Sequence, residues 1–215
     1  MNVKDATTVV ILDFETSGLS PTTGDRVIEV GAVLLDDGVI TGRYQSLINP
    51  DFRISSFIER LTGITNTMLA TAPTAPTVFN ELADFIGDYN LVAHNAAFDQ
   101  KFFASEMDQI DHKASNSFAC SLLIARRLFP NAPAHKLATL MQYLRLPTKG
   151  NYHRALADAE MTAKLWLRII HELKAVHNLD QTTFPFMRKL SRMPIASIPD
   201  FLHKQTKAPS CDCNI

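Results

Sequence analysis

The stretch VVILDFE, residues 9–15, constrains the fold more than any other part of the sequence. Four apolar residues precede the acids Asp13 and Glu15, and such a continuous apolar run is typical of a buried strand. Side chains at positions i and i+2 of a strand leave the same face, so we expect both carboxylates on one side and Phe14 on the other. The strand therefore ends where two acids share a small space.

Two acids in one small space indicate a metal site, and a solvated pair of acids at a strand end is the alternative interpretation. If both were buried without a partner, they would repel each other, and at least one would take up a proton unless a cation lay between them. Hard divalent ions such as Mg²⁺ and Mn²⁺ prefer oxygen ligands. A lone D-x-E does not decide between the two interpretations, because short motifs also arise by chance.

The rest of the chain alternates between strand and helix patterns. The run RVIEVGAVLLDDGVITGRYQSLI predicts a hairpin with DDG as its turn. From SSFIERLTGIT through PTAPTVFNELADFIGDYN the period is helical. NLVAH predicts a short strand that ends at Asn95, which is expected to cap the helix AAFDQKFFASEM. The segments FACSLLIARRLFP, AHKLATLMQYLRL and ALADAEMTAKLWLRIIHELK predict one more short strand and three helices.

From about Val176 onward the pattern weakens. The segment TTFPFMRKLSRMPIASIPDFLHKQTKAPSCDCNI contains several prolines and no sustained period, and it predicts an extended tail or a partner-binding arm. Cys211 and Cys213 offer two thiols, which do not complete a metal site, and a frayed terminus is the simpler interpretation. We therefore expect a single domain over residues 1–175 and a C-terminal tail over residues 176–215.

Composition limits the classes of function. The 215 residues fit one domain of ordinary size with a short appendage. The 21 basic and 22 acidic residues nearly cancel, which excludes a polybasic protein that wraps duplex DNA through bulk charge. Neither a signal peptide nor an apolar run long enough to span a bilayer is evident, and the three cysteines give no disulfide framework. These features predict a cytoplasmic protein without a membrane partner.

Two further acids lie where helical patterning should place apolar residues. Asp99 shares a helical face with Phe103, four residues further on, and Asp158 projects with Thr162 and Leu165. Both acids lie near predicted helix N-termini, where an acid complements the macrodipole. That interpretation explains their position along the helix but not their face. Four inward-facing acids on separate elements favour a shared cluster of divalent ions.

His153 adds a group that can move a proton. It lies five residues before Asp158 and follows the segment PTKGNY, so it could lie beside a metal cluster without being a ligand. A histidine with an unperturbed pKa of about 6.5 can accept a proton from water near neutral pH. A surface or capping histidine is the alternative interpretation for any single residue of this type.

Three motifs together resemble those of the DEDDh 3′-5′ exonucleases, a family that includes proofreading epsilon subunits of bacterial DNA polymerase III, ribonuclease T and oligoribonuclease. The motifs are DFETSG with Asp13 and Glu15, HNAAFD ending in Asp99, and HRALADA with His153 and Asp158. The resemblance runs from about Thr8 to Lys174 and includes LTGIT, which is similar to a loop against the terminal nucleotide. It implies an α/β, ribonuclease H-like fold with a mixed five-stranded sheet flanked by helices, and stepwise removal of nucleoside monophosphates from a 3′ end.

The resemblance also implies two divalent ions, Mg²⁺ or Mn²⁺, and a role for His153 and for each of the four acids in the motifs. Asp13 would bridge both ions, Glu15 and Asp158 would help to hold the ion that activates water, and Asp99 would act on the second ion, largely through waters. His153 would be the general base. Two such ions about 3.5–4 Å apart can clamp the attacking and leaving oxygens of a phosphoryl displacement.

Seven residues match positions that shape the nucleotide pocket of the family: Phe14, Thr16, Gly18, Ile64, His94, Asn95 and Phe98. Ile64 and Phe98 are expected to contact the terminal base or sugar, since such stacking needs no sequence readout. As an alternative, Phe14 and Phe98 are core residues, and Phe14 contacts the nucleotide through its backbone. Cys120 and Ser121 stand where many relatives carry Asp-Thr, which predicts a change at the pocket edge or in packing.

Three hypotheses of function follow from the resemblance. The leading one is a metal-dependent 3′-5′ exonuclease that acts on single-stranded DNA ends in proofreading or repair. The second keeps the reaction but places it on RNA ends, and only contacts near the 2′-OH would separate the two substrates. The third is a non-catalytic nucleic-acid- or polymerase-binding module, against which the complete set of acids argues.

The segment QTTFPF, Gln181 to Phe186, resembles the short peptides by which bacterial replication proteins bind the sliding clamp. Such a peptide would be ordered on binding, with its apolar residues in a pocket of the partner. The sequence therefore predicts a clamp contact within the C-terminal tail.

Overall fold

The computed structural model describes residues 5–148, 154–179 and 182–206. Its strands are β1 (Val9–Thr16), β2 (Val27–Asp36), β3 (Val39–Leu47), β4 (Leu91–Ala93) and β5 (Phe118–Cys120). They form one sheet in the order β3-β2-β1-β4-β5. β1 pairs antiparallel with β2 and parallel with β4, so the expected mixed five-stranded sheet is confirmed.

Helices cover both faces of the sheet. They are α1 (Ser56–Thr62), α2 (Asn66–Ala70), α3 (Ala75–Ile86), α4 (Ala96–Gln109), α5 (Ser121–Leu128), α6 (Leu137–Tyr143), α7 (Ala155–Ala175), α8 (Phe184–Arg192) and α9 (Ile198–Thr206). Two short 3-10 turns span Pro21–Thr23 and Ile195–Ser197. The predicted hairpin joins β2 to β3, and both Asp37 and Gly38 adopt the positive φ that a tight two-residue turn requires. No helix within the described ranges is long and apolar enough to cross a membrane.

The two faces of β1 pack in different core clusters. Val10, Leu12 and Phe14 are buried in one core cluster with residues of α3 and α4. Val9 and Ile11 point to the other face, where they share a second cluster with residues of α7. Asp13 and Glu15 continue the second alternation, so the predicted separation of the acids from Phe14 is confirmed.

Gly31 lets α7 approach the sheet closely. It lies in β2 directly opposite Asp13. A Cβ at this position would be 2.1 Å from the Leu156 nitrogen and 2.2 Å from the Ala155 carbonyl carbon, which only a glycine avoids. The first turn of α7 therefore rests directly on the strand pair beside Asp13.

The expectation of an extended C-terminal tail is wrong for the described part of that segment. α8 and α9 are helices, and Phe184, Met187 and Leu190 are buried in the same cluster as β1 and α7. The prolines do not prevent this, because Pro185 occupies the first turn of α8, where a missing backbone N–H has no cost. The division of the chain near residue 176 and the idea of a partner-binding arm stay predictions, and Cys211 and Cys213 lie outside the described residues.

Candidate active site

Three of the predicted acids meet at one end of β1. Asp13 and Glu15 come from β1, and Asp158 comes from the first turn of α7. Each offers a carboxylate oxygen, and these three oxygens all lie within 4.8 Å of one another. The predicted inward face of α7 is confirmed, since Thr162 and Leu165 are buried behind Asp158.

Asp99 reaches the same place from the opposite face of the sheet. It is buried in the first turn of α4, and its Oδ1 accepts a hydrogen bond of 3.2 Å from the backbone N–H of Phe14. Asp99 therefore lies beside the group formed by Asp13, Glu15 and Asp158 without belonging to the 4.8 Å set. Its buried face, shared with Phe103, agrees with the prediction.

Burial and mutual repulsion make the charged state of these carboxylates costly. Burial raises the pKa of Asp13 well above its usual value, and neighbouring carboxylates, Asp99 first, raise it further. Burial and the charge of Asp158 raise the pKa of Glu15 to about 7. Burial likewise raises the pKa of Asp99 to about 8. A divalent cation would offset this repulsion.

The donor set fits a hard divalent ion. Every candidate ligand is a carboxylate oxygen, the ligand type that Mg²⁺ and Mn²⁺ prefer. Three such oxygens that lie within 4.8 Å of one another can contact a single ion without rearrangement of the backbone. Asp13, Glu15 and Asp158 would hold it, and Asp99 is close enough to balance further charge.

An apolar groove of about 590 Å³ adjoins Glu15. Four of the predicted pocket residues line it, namely Phe14, Thr16, Gly18 and Phe98. The Phe14 ring also packs 5.9 Å from that of Phe79 in the core. Phe14 is therefore a core residue, and its contact with a nucleotide stays a prediction. The Phe98 ring is half-buried and lies 5.1 Å from that of Phe102.

The prediction for Ile64 is wrong. Its side chain is 0% exposed and packs in a small core with Ile28, Ile54 and Leu69. The reason is the turn at Gly63, which ends α1 with a φ of 71° and directs the next residue inward. Within LTGIT, Leu61 lines the groove instead.

Sequence reasoning missed the apolar rim of the groove. Leu19, Phe57 and Leu61 line it and are 79%, 63% and 45% exposed. Phe57 and Leu61 lie four residues apart in α1 and therefore share a helix face. An apolar pair on the exposed face of a helix is a signal that could have identified them.

The loop that carries Leu19 is tied down at several points. The Asp25 carboxylate accepts from the backbone N–H of Ser20 at 2.9 Å and occupies the space beside Gly18, where a Cβ would lie 2.3 Å from it. The Lys101 ammonium donates to the Leu19 carbonyl and lies over the Phe98 ring. The rim is therefore preformed.

His94 and Asn95 lie outside this groove. They line a second groove of about 550 Å³ together with Cys120 and the basic residues Arg126 and Lys136. His94 bonds the Ser121 hydroxyl and the His135 carbonyl, each at 2.9 Å, and burial lowers its pKa to about 4. Asn95 is the N-cap residue of α4, as predicted, with a φ of 76°, but its side chain makes no capping hydrogen bond.

Two predicted features lie partly or wholly outside the described residues. His153 is one of them, and its role as general base stays a prediction. The other is Gln181, the first residue of the clamp-like segment. Within that segment Phe184 is buried and the Phe186 ring stacks on that of Phe201 with centroids 5.6 Å apart, so neither is presented as a free peptide.

The sequence is similar to those of two bacterial proteins, a DNA polymerase III subunit and a 3′-5′ exonuclease. The DNA polymerase III subunit epsilon of Aquifex aeolicus is 36% identical over 173 residues, which cover 80% of this chain and 84% of that protein. The 3′-5′ exonuclease DinG of Bacillus subtilis is 35% identical over 199 residues, or 90% of this chain. The chain spans only 20% of the length of DinG.

A solved structure of Exonuclease X in complex with 5′ overhanging duplex DNA has the same fold. It matches with a TM-score of 0.67 at 26% identity, over 85% of this chain and 99% of that one. The exonuclease family model, RNase_T, matches residues 10–166, a range that contains all four acids. The resemblance drawn from the three motifs is thereby confirmed: the chain belongs to the exonuclease family.

Proposed function

We propose that this protein is a divalent-metal-dependent 3′-5′ exonuclease that releases nucleoside monophosphates from the 3′ end of single-stranded DNA. The observation that carries the proposal is the position of the carboxylate cluster. Asp13, Glu15 and Asp158 converge within 4.8 Å, and Glu15 also lines a preformed apolar groove. A groove for a base beside a site for a phosphate is what removal of a terminal nucleotide requires.

The acids bind the metal ions, and His153 is the general base. Two ions, Mg²⁺ or Mn²⁺, held at this cluster would supply positive charge to the scissile phosphate and to the attacking water. Asp13, Glu15 and Asp158 hold that charge in place, and Asp99 fixes the end of β1 through the Phe14 N–H. His153 accepts the proton of the water, a step for which a histidine has a suitable pKa.

The groove binds the terminal nucleotide. Phe57, Leu61 and Phe98 offer apolar contacts to a base without reading its identity. An unpaired base has a free face to contact these side chains, which favours single-stranded ends. The basic residues Arg126 and Lys136, on the neighbouring groove, are available for phosphates further from the end.

The names of the relatives favour DNA and a replicative setting. One is a DNA polymerase III subunit, and Exonuclease X was solved with duplex DNA. We therefore infer association with a DNA polymerase in proofreading or repair. A sliding clamp contact through Gln181 to Phe186 is not part of the proposal, because Phe184 would have to leave the core.

Activity should depend on the cluster. We expect wild-type protein with Mg²⁺ to shorten a 5′-labelled single-stranded DNA stepwise from its 3′ end, and EDTA to stop the reaction. Asp13→Asn should abolish cleavage, whereas His153→Ala should lower kcat by about 10²–10⁴-fold, the usual contribution of a general base. Asp84→Asn, at an exposed position of α3, is the matched control and should behave as wild type.

The same assay on a 3′-recessed duplex and a matching RNA ranks the substrates. Faster cleavage of RNA would replace the proposed substrate with RNA ends. Binding without cleavage of any substrate would contradict the enzymatic proposal and favour a binding module.

The groove can be tested separately from the cluster. Phe57→Ala should raise KM by about 5- to 150-fold, because base stacking contributes about 1–3 kcal/mol per base. It should change the free energy of unfolding by less than about 0.5 kcal/mol, since the side chain is exposed. Ile64→Ala is the control: it should cost about 2–5 kcal/mol of stability and leave the KM of the folded protein unchanged. An unaltered KM in Phe57→Ala would remove the groove from substrate binding.

Metal-free protein should lose stability as the pH rises. The raised pKa values of Glu15 and Asp99, about 7 and about 8, mean that the folded state holds these protons more tightly than the unfolded state. The free energy of unfolding in EDTA should therefore fall from about pH 4, where unfolded carboxyls begin to ionise, to about pH 8. Glu15→Gln should flatten the decline, and Asp84→Asn should not. Denaturant unfolding at pH 5 and pH 8 measures the free energy of unfolding at each pH. If this free energy fell equally in wild type and in Glu15→Gln, repulsion among the carboxylates would not be its cause.

A further inference from the structure

Glu29 is a buried acid that the proposed chemistry does not use. It lies in β2 directly opposite Glu15, and its side chain is 0% exposed. In the sequence it interrupts the apolar run VIEVGAV. Burying a carboxylate costs several kcal/mol unless charge and hydrogen bonds compensate, so its partners indicate what the residue does.

Both oxygens of Glu29 are occupied by donors from the protein. Arg154 donates from Nη2 to Oε1 at 2.8 Å and from Nε to both oxygens at 3.2 Å. The Ala155 backbone N–H donates to Oε2 at 3.1 Å, and Gln45 donates to Oε1 at 2.8 Å. With this set of donors Glu29 is poorly suited to be a further metal ligand.

The contact with Ala155 lies at the start of α7. The first N–H groups of a helix have no partner within the helix, and the residue that precedes α7, Arg154, provides no side-chain cap. Glu29 supplies the cap from another strand, and its negative charge also complements the positive end of the helix. Its neighbour on the same face of β2, Gly31, leaves room for the helix backbone.

Asp158 lies in the turn that these contacts hold. Its backbone N–H donates to the Arg154 carbonyl at 3.0 Å, which closes the first turn of α7. The same turn follows His153 directly in the chain. Glu29 therefore fixes α7 relative to β1 at the point where Asp158 must meet Asp13 and Glu15.

We propose that Glu29 is a positioning residue of the metal site, which acts by clamping Arg154 and the N-terminus of α7 so that Asp158 lies within reach of the ligands on β1. The inference rests on the proposed function, because it assigns Glu29 to the same metal site. It adds a residue outside the three motifs to the set on which metal binding depends.

The experiment measures Mn²⁺ binding without nucleic acid, by isothermal titration at fixed pH. Glu29→Gln should weaken Mn²⁺ binding by about 10- to 100-fold, the usual cost of losing a residue that orients a ligand. Glu106→Gln is the matched control. Glu106 lies in α4, is also buried, and accepts two hydrogen bonds of 2.8 and 2.7 Å from Arg26. That control should be destabilised without a change in Mn²⁺ affinity.

Arg154→Gln separates positioning from simple charge. The Arg154 side chain is 41% exposed, so the variant should fold even if Glu29→Gln does not. Removal of a positive charge beside Glu15 would strengthen Mn²⁺ binding if only charge mattered, whereas a displaced α7 weakens it. We expect weaker binding, and Arg26→Gln should show no change. Unchanged or tighter binding in Arg154→Gln, or wild-type affinity in Glu29→Gln, overturns the inference.

The outcome for the wild-type protein keeps the two proposals apart. If wild type binds Mn²⁺ and cleaves DNA but the Glu29 and Arg154 variants bind Mn²⁺ as wild type does, only the positioning role fails. If wild type neither binds Mn²⁺ nor cleaves DNA, both the proposed function and the positioning role of Glu29 are contradicted.

Discussion

Repulsion among carboxylates at the end of β1 is the constraint on which the rest of the structure depends. Asp13, Glu15 and Asp158 have oxygens within 4.8 Å of one another, and burial raises the pKa values of Asp13 and Glu15. Without a cation, such a group destabilises the fold at neutral pH. A fold that nevertheless brings these acids together gives up stability for a binding site, as functional sites commonly do.

The topology explains why four acids from three elements, namely β1, α4 and α7, meet. β1 and β4 are parallel, so their carboxyl ends lie at the same edge of the sheet, where ligands of such sheets bind. α4 follows β4 and carries Asp99 to that edge on one face. α7 reaches it on the other face and carries Asp158, through the close approach at Gly31. The apolar rim of Phe57 and Leu61 lines the groove that also reaches Glu15, and this is where we propose that a base binds.

Features with strong local patterns could be predicted from the sequence. The alternation along β1, the hairpin at Asp37 and Gly38, and the buried faces of Asp99 and Asp158 all follow from strand and helix periods. Three other features depend on contacts that local patterns do not contain. Ile64 turns inward because of the backbone at Gly63. His94 is held by Ser121 and by the carbonyl of His135, which is 41 residues away. The helices after residue 182 are stabilised by burial against α7 and the sheet, despite the prolines that suggested an extended tail.

The central claim is that the acids at the end of β1 bind divalent ions. Anomalous diffraction from a crystal grown with Mn²⁺ tests it most directly. The account predicts an anomalous peak between Asp13, Glu15 and Asp158, and its loss in a crystal of Asp13→Asn grown under the same conditions. A map with no peak at these carboxylates, or with the peak retained in the variant, would contradict it.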